Sequence, residues 1–292
     1  MVVKLRAGWF TVHFTVHFTY LAASPTLRTM SDTANPLVAP FAAEVPLPAA
    51  PLVRVIAQLR FPEVLSVEQR EFVAPFQAAI RSVYPVLREE QVNRLLFGSE
   101  GVTTAKPQIV WRFSDTPGHW RVSLSSTFLA LETTKYVSPR DLLSRLGVLL
   151  EALQKFVEPA QVDRLGIRYV DRVEGADVED IARLVRPEVR GTAGTPAAMN
   201  VVHSLSESVF ALPDDHLVAR WGVLPPNTSV DPGIEPSAAK SWILDLDMFS
   251  LTPMPFNVSG VIERAESFAA RIYTVFRWAV TDDFLKRFGG RP

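Results

Sequence analysis

The chain has 292 residues, 48% of them apolar, enough to bury one sizeable core. Its 30 basic and 31 acidic side chains leave a net charge of -1, so no global field draws it to nucleic acid or to an anionic membrane. It has no cysteine, which excludes disulfides, thiolate zinc sites and cysteine nucleophiles and fits a cytoplasmic location.

Residues 1–29 differ from the rest. Lys4 and Arg6 precede an aromatic-rich run, 8–23, that contains a tandem TVHF at 11–14 and 15–18. His13, His17 and several threonines interrupt the run, and it falls short of the roughly 20 apolar residues that cross a bilayer. The expectation is a non-native leader or an overcalled start, with the native chain opening at Met30. His13 and His17 lie four apart, but no third ligand is near. From 30 to 50 the composition turns to Pro and Ala, which predicts an extended, partly polyproline linker.

The first half-domain, 51–158, begins with a strand over 52–61. Val53, Val55, Ala57, Leu59 and Phe61 fall on one face, Arg54, Gln58 and Arg60 on the other. Ser66-Val-Glu-Gln69 has the form of a capping box, and Phe72, Phe76, Ala79, Ile80 and Val83 recur at helical spacing, with Pro75 expected in the first turn. Residues 86–106 give no clear pattern. Strands over 108–114 and 120–134 form a hairpin about a Pro-Gly turn, placing Ile109, Trp111 and Phe113 inward and Arg112 and Arg121 outward. Ser138-Pro139 starts a helix whose apolar stripe runs Leu142, Leu146, Leu149, Leu150, Leu153, Val157.

The second half, 159–292, opens with the clearest strand of the chain, 162–173. Leu165, Ile167 and Tyr169 share one face, and Arg164, Arg168 and Arg172 the other. A helix over 177–185 capped by Asp177, strands over 202–212, 217–224 and 241–249, a proline-rich loop over 225–239 and a long helix over 259–277 follow. Both halves thus run strand, helix, strands, long helix, and Trp111-Arg112-Phe113 matches Ala219-Arg220-Trp221 in place. The predicted fold is a single α+β domain over 51–292: a curved antiparallel sheet with helices on one face, built from two related β-α-β-β-α halves.

By strand parity the other face collects Arg54, Arg60, Arg112, Arg121, Arg164, Arg168 and Arg172, with Arg220 beside them. Asp171 neighbours this stripe, and Asp245 and Asp247 lie two apart on one face of their strand. The plainest expectation is that these carboxylates pair with the arginines across the sheet. Beyond that, arginine's rigid fork suits recognition of phosphate or carboxylate, so the face is a candidate site for a protein partner or an anionic ligand. Nucleic acid has little support, because the aromatic pairs that stack single-stranded RNA are missing from the pattern. The alternative is an enzyme of phosphoryl or nucleotidyl transfer in which Asp245 and Asp247 hold Mg²⁺; otherwise no cofactor is expected. No Walker, dinucleotide, nucleophile-elbow or zincin motif occurs, and His119, His203 and His216 have no triad companions.

The strings at 51–62 (PLVRVIAQLRFP), 76–85 (FQAAIRSVYP), 111–113 (WRF), 128–136 (FLALETTKY) and 165–173 (LGIRYVDRV), with the later LDLD and VTD, are similar to a sporadically distributed family of uncharacterised bacterial proteins. The resemblance covers most of 51–286. It implies a bacterial protein with a binding or regulatory role, and brings with it no activity, cofactor or catalytic residue.

Overall fold

The computed structural model describes residues 35–292 apart from 93–94, 99–100 and 105–106; the expectations for residues 1–29 lie outside this range. Nine strands form one fully antiparallel sheet: β1 (Leu52–Arg60), β2 (Val86–Val92), β3 (Gln108–Ser114), β4 (Trp120–Ser125), β5 (Phe128–Thr133), β6 (Arg164–Glu174), β7 (Ser204–Ala211), β8 (Asp215–Leu224) and β9 (Ser241–Ser250). Their spatial order is β7-β8-β9-β6-β1-β5-β4-β3-β2, and the sheet is open rather than closed into a barrel. Three longer helices pack on one face: α1 (Arg70–Ile80), α2 (Pro139–Phe156) and α3 (Val258–Ala279).

The first strand of each half meets the other at the centre, with Leu59 opposite Leu165 and Ile56 opposite Arg168. From β1 the first half runs outward β5-β4-β3-β2; from β6 the second runs β9-β8-β7. Each half therefore places its opening strand innermost and its last strand next to it. Counted this way, Arg220 on β8 sits third from the centre of its half, level with Arg121 on β4 rather than Arg112 on β3. The sequence match of 111–113 with 219–221 is displaced by one strand.

Alternation along β1 and β6 explains the core. Val55, Ala57 and Leu59, with Leu165 and Ile167, are fully buried against Leu142, Leu146, Leu149 and Leu153 of α2 and Val261, Ala265, Phe268 and Ile272 of α3. Each large side chain so buried contributes roughly 1.5–3 kcal/mol, and it is this apolar stripe that holds the helices to the sheet. Ser138 caps α2 by accepting the amide of Asp141 at 3.2 Å, and Asn257 caps α3 through Gly260 at 2.6 Å.

Several local expectations are corrected. The box at Ser66 does not form: residues Leu65–Glu68 make a tight 3-10 turn without a side-chain cap, fixed by buried Val67, whose carbonyl accepts the indole N–H of Trp111 at 2.7 Å. Helix α1 starts at Arg70, which puts Pro75 inside it rather than in its first turn. The long strand over 120–134 is two strands. Ser126 and Thr127 turn the chain, and their carbonyls accept the amides of Val64 and Phe61, which is what brings β5 alongside β1. The helix expected over 177–185 is a 3-10 turn and a single turn at Ile181–Leu184, and Asp177 pairs with Arg287 rather than capping.

The described part of the Pro/Ala-rich stretch, residues 35 to 50, has turns at 36–38 and 48–49 and is strapped to the domain rather than standing apart as a linker. Leu37, Val45 and Leu47 pack on the core, the amide of Val45 donates to the Tyr273 hydroxyl at 2.7 Å, and Arg271 of α3 donates to the carbonyls of Pro36 and Ala39. Among the described residues no helix is long and apolar enough to cross a membrane.

Candidate functional site

The arginines fall on the face away from the helices, as strand parity predicts, but most of them are spoken for. Glu132 of β5 accepts from both Arg54 and Arg121. Burial alone would raise its carboxyl; the two guanidiniums outweigh burial and hold it below the usual carboxylate range. Arg168 grips Asp245 with two parallel bonds of 2.7 and 2.8 Å, and Arg220 reaches the same carboxylate at 3.3 Å while also pairing with Glu207 at 2.5 Å. Arg112 bonds Glu90 at 2.9 Å and Ser123 at 2.6 Å, and Arg172 lies 2.5 Å from Glu174.

The face is also partly roofed. The proline-rich loop over 225–239 crosses its middle, where Asp231 meets Arg168 at 2.5 Å and the carbonyl of Glu235 accepts from Arg172 at 2.6 Å. Arg54, beneath Gly233, is only 8% exposed. Sequence parity could place these side chains on one face; it could not reveal a loop 60 residues downstream folding back over them.

Asp245 and Asp247 share the face, but their oxygens are engaged by guanidiniums. Asp245 is fully buried between Arg168 and Arg220, and Asp247 faces Arg164 at 3.6 Å. Burial, opposed by Arg164 and Arg168, raises the Asp247 carboxyl. Among the described residues no three His, Cys, Asp or Glu side chains come together as a metal-binding group. The geometry thus offers Mg²⁺ two carboxylates that are already paired with guanidiniums.

One end of the face is different. Arg60 and Arg164 stand directly opposite each other on β1 and β6. Arg60 is exposed, and among the described residues its guanidinium makes no ion pair or hydrogen bond. Arg164 lies with its guanidinium carbon 4.1 Å from the centre of the Phe249 ring; burial chiefly, and then the charge of Arg60, push it down against the opposing pull of Asp247. Like charges directly opposite in a sheet are unfavourable.

A second feature lies on the helix-covered face. Asp171 follows Tyr169 at the core-facing phase of β6, opposite Leu52 and Leu244 in the register of the neighbouring strands. It is 6% exposed, and among the described residues its carboxyl makes no ion pair or hydrogen bond. Burial, with a smaller contribution from the charge of Asp245 across the sheet, pushes it up to about 7. It lines a cavity of about 440 Å³ enclosed by the strap 44–50, the loop 134–139, β6 and α3, with Tyr136, Tyr169 and Tyr273 in its walls. The Tyr136 and Tyr169 hydroxyls are 3.2 Å apart, and their rings meet edge to face at 5.4 Å. Burial pushes the Tyr169 hydroxyl up to about 12.

The sequence reading set Asp171 beside the arginine stripe and Tyr169 on the inner face, and passed over Tyr136 and Tyr273. A signal was present: 165, 167, 169, 171 and 173 are one phase of the alternation, and a carboxylate in an otherwise apolar phase marks a buried polar group. Compared with known proteins, the chain matches no family model, and no curated protein matches it.

Proposed function

We propose that this is a binding or regulatory protein that engages an anionic group of a partner, a phosphate or a carboxylate, through Arg60 and Arg164. The observation that carries the reading is their like-charged opposition on adjacent central strands, with Arg60 exposed and unpaired among the described residues. An arrangement that costs stability locally points to a function elsewhere, and an anion lying across both guanidiniums relieves the repulsion. The other arginines of the face support the sheet. The resemblance to the bacterial family, an origin of the two halves by internal duplication and a cytoplasmic location belong to the same proposal, supported by the quoted strings, by the shared outward strand order and by the lack of cysteine.

The test is calorimetric titration of pyrophosphate and of a short poly-glutamate peptide into the wild-type protein and an Arg60→Glu variant, at low and at physiological salt. Saturable binding of either probe that weakens with salt and is lost in Arg60→Glu, at unchanged melting temperature, supports the reading. Equal binding by both proteins, or none by either, overturns it.

A further inference from the structure

We propose that the cavity on the helix-covered side of β6 is a second site, one that takes a small organic ammonium ion with Asp171 as counter-ion and Tyr136, Tyr169 and Tyr273 as walls. It is independent of the arginine face, from which the sheet itself separates it. Its volume of about 440 Å³ lies within the range of small-molecule pockets, about 300–1,000 Å³.

The charge pattern selects the ligand class. Asp171 is 6% exposed, opens on the cavity and, among the described residues, has no ion-pair or hydrogen-bond partner, so its carboxylate is left to water or a ligand in the cavity. An anion would add repulsion. A neutral hydroxyl would supply one hydrogen bond and leave the charge unopposed. An ammonium ion supplies both a charge-assisted hydrogen bond and neutralisation, and aromatic faces favour a cation further. The two exposed charges of the lining, Lys135 and Glu44, are of opposite sign and leave Asp171 as the buried charge of the site. Leu52, Leu246, Ala269, Ile272 and Phe276 add apolar wall that fits a hydrocarbon body. The strap closes one side. Its fastening to the Tyr273 hydroxyl at Val45 ties the strap to the wall of the pocket.

The titratable groups facing Asp171 are Tyr136, Tyr169 and Tyr273, with Glu44 and Lys135 in the lining and Asp245 across the sheet. The tyrosines stay protonated through neutrality, so Asp171 governs the pH response. Because burial favours its protonated form, ammonium affinity rises as pH passes from 6 to 8.

The experiment is titration of phenethylammonium, butylammonium and tetramethylammonium, with 2-phenylethanol and 1-butanol as neutral counterparts, followed by calorimetry and by tyrosine fluorescence at pH 6 and pH 8. The expected result is saturable binding of at least one ammonium, tighter at pH 8. Its neutral counterpart, and the same ammonium on Asp171→Asn, should both bind about tenfold or more weakly. A Tyr136→Leu variant, which keeps the apolar wall and removes the ring, should weaken the ammonium severalfold and leave the alcohol unchanged; it serves if Asp171→Asn fails to fold. Equal affinity for alcohol and ammonium overturns the proposal, as does undiminished ammonium binding by Asp171→Asn. So does the absence of saturable binding by all three cations.

Discussion

Replacing Asp171 by Asn gives the sharpest test of the electrostatics, because it concerns a single buried group without partners among the described residues. The Asp171 carboxyl is pushed up to about 7 from an ordinary 3.8. Between those values the folded protein holds a proton that the unfolded chain has released, so the stability slope with pH is negative: the penalty is absent below the unfolded value and complete above about 7. At about 1.4 kcal/mol per unit, the full penalty comes to about 4 kcal/mol, of which about 2–3 kcal/mol develops between pH 5 and pH 8. The amide of Asn does not titrate, though it adds its own unpaired donors at a cost of about 1–3 kcal/mol that is independent of pH. The quantity to measure is therefore the difference in unfolding free energy between Asp171→Asn and wild type, by urea denaturation without ligand. It should move in favour of the variant by about 2–3 kcal/mol from pH 5 to pH 8. All other titrating groups are shared and cancel. A difference that stays flat across this range would show that Asp171 finds a partner or solvent in solution, and the account of the cavity would fail with it.

Arg168→Ala leaves the fully buried Asp245 with only its 3.3 Å contact to Arg220 and should cost about 3–5 kcal/mol by chemical denaturation, whereas Arg60→Ala should stay within about 0.5 kcal/mol; equal effects would refute the division of the face into paired and unpaired arginines. Tyr273→Phe removes the acceptor for the Val45 amide, so stability should fall by about 1 kcal/mol and exchange at that amide should quicken in hydrogen-exchange mass spectrometry. Unchanged protection at Val45 would mean the strap is held by packing alone. Gly222→Ala would place a methyl group 1.9 Å from the Ser204 carbonyl oxygen, so the edge pairing of β7 with β8 must shift; a loss of about 2 kcal/mol or more is expected, with faster exchange confined to β7. A fully stable variant would place the edge strand differently.

The arginine face shows how far parity alone reaches. Alternation assigned Arg54, Arg112, Arg121, Arg164, Arg168 and Arg172 to one side of the sheet because each strand's inner phase is a run of large apolar residues, and that phase is a local property. It did not say that Glu132 would stand between Arg54 and Arg121, since this depends on the turn at Ser126-Thr127 that brings β5 beside β1. That turn carries no glycine or proline, only Ser-Ser-Thr, and the strand-like alternation before it and the apolar run 128–131 after it disguised it. Residues 86–106 were opaque for a related reason. The edge strand β2 is largely exposed and charged, so it lacks the inner phase that betrays a strand.

What the sequence by itself determined is the inner and outer phase of most strands, the cap of α2 and the α+β class, because each follows from neighbours a few residues apart. What only the tertiary structure decided is which charges meet and where space is left. Arg168 and Asp245 are 77 residues apart in sequence, and Arg54 and Glu132 are 78 apart. The cavity at Asp171 joins the strap, the loop after β5, strands β1, β6 and β9 and helix α3, segments whose approach depends on sheet order and helix docking rather than on the local pattern of any one of them.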